Sequence, residues 1–344
     1  MGSLSFIKQK LLHPLKMQWY NLQIVVGGAW RFFCKQQKEL EARQTEKHYQ
    51  EQEQTSDKSI VFTCNGWSWS GGLADRIKGM LTLYDWCRRN NRSFQINYCE
   101  PFRLQDYLIP NEYDWLPHDI VYNKEYSLPR FCLMEPRTCN KREVLENQDE
   151  LLESWMNGRL NDTERQLHVY TNMYRPCVDY ALCFHDLFCP CERLQKEIDY
   201  HLQQIGTNYI SISFRFTTLL GDFTDCTGTP LPEDKQQSLI EKSLMAILDI
   251  SDKVPAHDRI LVTADSEKFL SRAKNLNNVY IVPGKTGHID YDHSDDVNMK
   301  TFLDFFLISK AKAVYLAKGP KMYNSAFAKT AAMVNNRPFE VYEY

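Results

Sequence analysis

Arg215 closes the alternating run YISISFRF (209–216), in which Ser211, Ser213 and Arg215 share one face. An arginine at the carboxyl end of a sheet strand is costly to bury unless it is paired or holds an anion. Its planar fork suits phosphate oxygens. The loop that follows, TTLLGDFTDCTGTP, carries Gly221 and Asp222. Asp265, with Ser266 beside it, follows RILVTA (259–264), and Asp265 is placed to cap the next helix or to accept hydrogen bonds from a ribose or base edge. Asn324 or Ser325 would cap a helix in KMYNSAFAK (321–329), whose free amides and dipole would face a phosphate. A fourth segment, NGWSWSGGLADR (65–76), joins a strand to a helix through Gly71 and Gly72. It places Asp75 and Arg76 in the first helical turn. Trp67 and Trp69 suit stacking on a sugar or base, or packing in a core. The spacing is not G-x-G-x-x-G, so it does not mark a nicotinamide site.

These residues need a scaffold, and the chain punctuates itself into one. SIVFT (59–63), a glycine turn, a helical run through Leu73, Ile77, Met80, Leu81 and Tyr84, then FQINY (94–98) read as strand, helix, strand. Residues 101–205 hold many aromatics and seven prolines and read as short helices. From 209 the alternation is regular. Helices over 233–249, 266–274, 301–312 and 325–334 separate strands over 209–216, 259–264, 278–283, 313–317 and 339–343. That order predicts a parallel sheet covered on both faces. Such sheets bind ligands beyond their carboxyl ends, so the loops after 216, 264, 283 and 317 should line a site.

Composition sets the outer bounds. The 344 residues include 43% hydrophobic and 25% charged residues, with a formal net charge of -3. That balance argues against a dedicated nucleic-acid binder and against disorder. Eleven cysteines form no repeated pair of close ligands, and they read as buried thiols. His288 to Asp296 (HIDYDHSDD) is rich in ligand types but matches no metal spacing, so no metal is expected. No secretory signal or spanning segment is visible; the longest apolar stretch at the start is LQIVVGGAW (22–30). The basic, aromatic start, with Lys8, Lys10, Lys16, Trp19 and Trp30, suits a membrane surface or a packing arm. Residues 35–58 are almost wholly polar and read as a solvated helix or linker, not core. The expected division is therefore 1–58 as extension and linker, 59–205 as one α/β domain, and 206–344 as a second. The expected location is cytoplasmic and membrane-peripheral, with a Golgi lumen as the alternative. The sequons at Asn91 and Asn161 do not decide between them.

GGLADRIKG, ISISFR followed by GD, ILVTADSEKF, and DFFLISKAKAVYLAKGPKMYNSAFAKTAAM stand here in one order. In that order and spacing the chain resembles the fucosyltransferases of the two-domain GT-B architecture: the α-1,2, α-1,6 and protein O-fucosyltransferases and the bacterial nodulation enzyme. The resemblance spans roughly 59–343. It implies two Rossmann-type domains facing a cleft, with GDP-fucose held by the C-terminal one and a glycan or glycolipid acceptor by the other. It places Arg215 on the donor diphosphate. Asp222, Asp265, Ser266, Asn324, Ser325 and Phe327 complete the donor side. Gly71, Gly72, Asp75 and Arg76 lie on the acceptor side. Ser213 and Phe216 stand where the family carries a histidine and a second arginine. The family mostly inverts the anomeric centre and needs no metal or other cofactor. Arg215 and the helix start at Ser325 would then stabilise the leaving diphosphate, and Asp75 would take the acceptor proton. Transfer from another sugar nucleotide, and binding without catalysis, stand as the alternatives.

Overall fold

A computed structural model describes residues 42–50, 53–68, 71–132, 148–223, 229–254, 258–289, 292 and 294–344. The basic N-terminal start and Trp69 lie outside them. Two all-parallel sheets organise the chain. The first has the order β2-β1-β5-β4, from β1 (Ile60–Cys64), β2 (Phe94–Tyr98), β4 (Ser127–Cys132) and β5 (Gln166–Thr171). The second has the order β11-β10-β7-β8-β9, from β7 (Tyr209–Phe214), β8 (Arg259–Ala264), β9 (Val279–Tyr280), β10 (Val314–Lys318) and β11 (Phe339–Glu343). A small antiparallel pair joins β3 (Leu108–Pro110), which follows β2 in the chain, to β6 (Phe188–Pro190), which follows β5.

The first sheet has two unlike faces. Ile60, Phe62, Phe94, Ile96, Leu167 and Val169 point into an apolar core. Helix α2 (Leu73–Arg89) supplies Ile77, Met80, Leu81 and Tyr84 to that core at helical spacing. Gly79 permits the contact, because a Cβ there would lie 2.5 Å from the Thr171 carbonyl oxygen. The opposite face presents Gln95, Gln166, His168 and Tyr170, all buried. The polar segment from a short helix α1 (42–47) through Ser59 roofs this face. Thr45 and Tyr49 are 0% exposed. Most of the described residues of 42–58 are exposed, including one side of the helix, and a few polar contacts tie the stretch to the sheet: Tyr49 Oη lies 2.6 Å from His168 Nδ1, and Asp57 Oδ2 accepts from Ser59, Gln95 and Gln166.

Four more helices belong with the first half and the crossing to the second: α3 (Gln148–Arg159), α4 (Tyr180–Leu187), α5 (Glu192–Ile205) and, beyond the loop after β7, α6 (Glu233–Lys253). Helix α5 ends at Gly206, whose φ of 79° suits a residue without a Cβ. It packs on α8 (Asp295–Lys310) of the second half. Ile210, Ile212 and Phe214 of β7 bury against α6 and α7 (Glu267–Ala273). The other face of this sheet meets α8 and α9 (Phe327–Met333). One apolar cluster runs from β1 and α2 through to α8 and α9, so the halves share a core. Tyr107 stacks on Phe302 at 4.7 Å and donates to Asp295 Oδ1 at 2.7 Å.

Candidate functional site

The register of the second sheet builds the site. Ser213 pairs with Thr263 and Phe214 with Ala264. Arg215 and Asp265 therefore emerge side by side from the carboxyl ends of β7 and β8. Arg215 Nη1 lies 3.3 Å from Asp265 Oδ2. The ring of Phe223 lies 4.6 Å from the guanidinium carbon. Asp265 Oδ1 accepts from the Phe216 N–H and Oδ2 from the Thr217 N–H, both at 2.8 Å. Thr217 has a φ of 54°, a sparsely populated conformation for a β-branched residue, and these bonds hold it there. Burial pushes the Asp265 carboxyl above its usual range, and the Arg215 charge and the backbone donors pull against that.

Both oxygens of Asp265 are thus engaged within the chain. It organises the turn that carries Arg215. The helix-capping role falls to its neighbour: Ser266 Oγ accepts from the Phe269 N–H. Asp222 reinforces that helix start, where its Oδ2 accepts from Ser266 Oγ at 2.9 Å and from the Lys268 N–H at 2.8 Å. Asp222 and Ser266 therefore act together on α7. The loop after β10 reaches the same place, where the Tyr323 N–H donates to the Arg215 carbonyl at 3.2 Å. Tyr323 itself is 57% exposed. Ser325, two residues before α9 begins, accepts through Oγ from the Phe327 N–H at 3.2 Å. Asn324 is exposed and makes no cap. Phe327 is partly buried and packs edge-on to Phe305 at the border of the core.

Ser213 and Phe216 are both buried. The Ser213 hydroxyl is 2.7 Å from that of Thr263, and Phe216 is 0% exposed against Phe214 and Phe269. Arg215 is thus the charged side chain that this strand end contributes.

On the other half, Gly71 has a φ of +76°, and a Cβ there would lie 2.7 Å from Asp75 Oδ2. The glycine allows the carboxylate to fold back over the turn. Asp75 Oδ1 is 2.8 Å from Lys78 Nζ. Arg76 is buried and donates to Tyr98 Oη at 2.6 Å. Trp67 stacks against His48 at 4.1 Å and meets Tyr122 at 4.7 Å, so its ring is engaged within the protein. A Cβ on Gly72 would lie 3.9 Å from His288 Nε2, which brings the loop after β9 against the start of α2. Among the described residues no three His, Cys, Asp or Glu side chains form a metal cluster. Asp290, Tyr291 and His293 of the acid-rich stretch lie outside them. Lys78, Phe223 and Tyr323 went unread in the sequence. Only Phe223, an aromatic two residues after Gly221, carried a local signal.

Two parallel-sheet α/β halves sharing one core, with the loops at strand ends converging on an arginine, define a GT-B-type fold. The same fold occurs in solved fucosyltransferases. NodZ α-1,6-fucosyltransferase soaked with GDP-fucose matches at a TM-score of 0.50 and 16% identity, over 81% of this chain and 93% of that one. The NodZ structure co-crystallised with GDP matches at 0.51 and 15% identity, over 80% and 92%. The source of NodZ is Bradyrhizobium. A variant of Arabidopsis thaliana FUT1 in complex with GDP matches at 0.51 and 13% identity, over 88% of this chain and 74% of that one. No protein-family model and no curated protein sequence matches the chain.

Proposed function

We propose that this chain is a fucosyltransferase that moves fucose from GDP-fucose to a glycan hydroxyl, with inversion and without a metal ion. The observation that carries the reading is Arg215, fixed by Asp265 at the carboxyl end of a central parallel strand, where open α/β sheets bind ligands. The fold-sharing fucosyltransferase structures, with GDP-fucose or GDP, support the choice of donor.

The chemistry follows from charge. As the bond from the anomeric carbon to the diphosphate oxygen breaks, the leaving GDP gains negative charge. Arg215 sits ready to stabilise it, and pre-set donors act without reorganising. Asp265 keeps the guanidinium in place, and Phe223 covers its face. The acceptor oxygen forms the new bond and gives its proton to a carboxylate. Asp75, folded over Gly71 at the start of α2, is the carboxylate proposed for that step. Lys78 holds it in place from one side.

A panel of neutral and charged glycans incubated with GDP-fucose, with and without a chelator, tests this reading. The expected result is GDP release with a fucosylated product of inverted configuration, undiminished by the chelator. Retained configuration, or release that stops with the chelator, would contradict the mechanism. The buried Phe216 and sealed Ser213 favour one second reading, a nucleotide-sugar binder without transfer. In the same assay that protein would bind GDP-fucose and release nothing. Among the described residues no helix is long and apolar enough to cross a membrane. The proposed membrane contact falls on the N-terminal start outside them.

A further inference from the structure

The seam between the halves carries two cations on one aromatic ring. Tyr174 lies in the loop after β5, half-buried and stacked on Tyr180. Lys78 Nζ, from α2 of the first half, lies 5.7 Å from its ring centre. Lys329 Nζ, from α9 of the second half, lies 5.6 Å from the same centre.

The two lysines differ in their other surroundings. Lys78 is 7% exposed and bridges Asp75. Lys329 is exposed and meets no carboxylate among the described residues. The neighbouring Arg175 pairs with Asp149 and Glu153. Among the described residues Asp75 pairs with Lys78 and no carboxylate pairs with Lys329, so the two ammonium groups at this ring bring more positive charge than one carboxylate offsets. An anion bound beside the ring would gain from both charges. The ring alone compensates an ammonium only weakly at an exposed position.

We propose that this seam binds an anionic oxygen group of the acceptor, a sugar carboxylate or a phosphate, between Lys78 and Lys329. The inference rests on the acceptor-cleft reading above and deepens it by naming the acceptor's chemical class. Lys329 lies one helical turn after Ser325, on the donor side. Asp75 lies beyond Lys78, on the acceptor side. An acceptor anchored by its anion across Tyr174 would present a neighbouring hydroxyl toward Asp75. The aromatic ring beside the ammonium groups offers an apolar surface to the sugar that carries the anion.

The test is calorimetry on the intact protein without donor, at low salt. One arm compares a uronic-acid-terminated disaccharide with its neutral parent. The other compares a sugar 1-phosphate with its neutral parent. The wild type is expected to prefer at least one charged ligand by about tenfold, and high salt to erode that preference. In Lys329→Gln the preference is expected to shrink to about twofold. The arm with the larger preference identifies carboxylate or phosphate. Equal affinity for charged and neutral ligands, no binding in either arm, or a preference unchanged in Lys329→Gln would overturn the proposal. A GDP titration on the same wild-type sample reports separately on the donor site, so failure of one reading is distinguishable from failure of the other.

Discussion

Asp265 holds Arg215 from below: one buried carboxylate accepts from the amides of Phe216 and Thr217 and lies 3.3 Å from the guanidinium of Arg215. The strand register makes this meeting unavoidable, since Phe214 stands beside Ala264. The position of the arginine is thus built into the backbone as well as the ion pair.

Asp265→Asn should lower GDP affinity by about tenfold or more, because an amide offers one acceptor oxygen to two amide donors and no charge to Arg215. The pH dependence separates this from a general loss of fold. The folded pKa of Asp265 is raised by burial, so protonation sets in above the ordinary carboxylate range. GDP affinity of the wild type should fall as pH drops through that range, and the Asn variant should lack this acid limb. The sign for stability is opposite. A raised folded pKa contributes stability that is present at acid pH and lost as pH rises, so ionised Asp265 is a cost at neutral pH. Titrations of GDP across pH, beside melting curves, check both signs.

Asp75→Asn should reduce kcat by about 100-fold or more if Asp75 takes the acceptor proton. GDP affinity should stay unchanged, since the residue lies at the start of α2 in the other half. Steady-state kinetics with GDP titration settles it. A kcat near wild type would move the base elsewhere.

Gly79→Ala inverts a familiar rule. In a helix interior, alanine is favoured over glycine by roughly 1 kcal/mol. Here the new methyl would meet the Thr171 carbonyl oxygen at 2.5 Å. Both partners are backbone, so α2 would have to lift from β5. The variant should be destabilised by about 1–3 kcal/mol in chemical denaturation.

His168 gives the roofed sheet face an acid weakness. Its Nε2 lies 2.6 Å from Gln166 Oε1 and its Nδ1 lies 2.6 Å from the Tyr49 hydroxyl, so the neutral ring donates to the amide and accepts from the phenol. Burial lowers its pKa from 6.5 to about 3. The unfolded chain therefore binds the proton first, and stability should decline as pH falls from about 6.5 toward 3. The loss should be on the order of a few kcal/mol. His168→Gln cannot titrate and should show a flatter decline in denaturation midpoints over the same window.

These same elements show what was legible in the sequence. Strands 94–98, 259–264 and 339–343 were readable at their bounds, because short β-rich runs sat between clear breakers. The segment 166–171 was missed, since Gln166 and His168 look solvated yet are buried through hydrogen bonds. In the largely exposed stretch 42–58, the contacts of Thr45, Tyr49 and Asp57 with the sheet were not legible, because polar pairing leaves no apolar period to read. At the site, Arg215 and Asp265 were legible as chemistry. Their mutual commitment was not, because register across parallel strands joins residues that are 50 apart in the chain. The packing of Phe327 against Phe305 was likewise not legible, because it depends on how α9 docks on α8.

The central claim is that Arg215 holds the donor diphosphate. Titrating GDP into the wild-type protein and into Arg215→Ala by calorimetry tests it directly, with circular dichroism confirming that the variant folds. The account predicts clear binding to the wild type and a loss of about 100-fold in the variant, as expected for removing a charge-assisted phosphate contact. Equal GDP affinity in the two proteins, or no binding to the wild type, would contradict it.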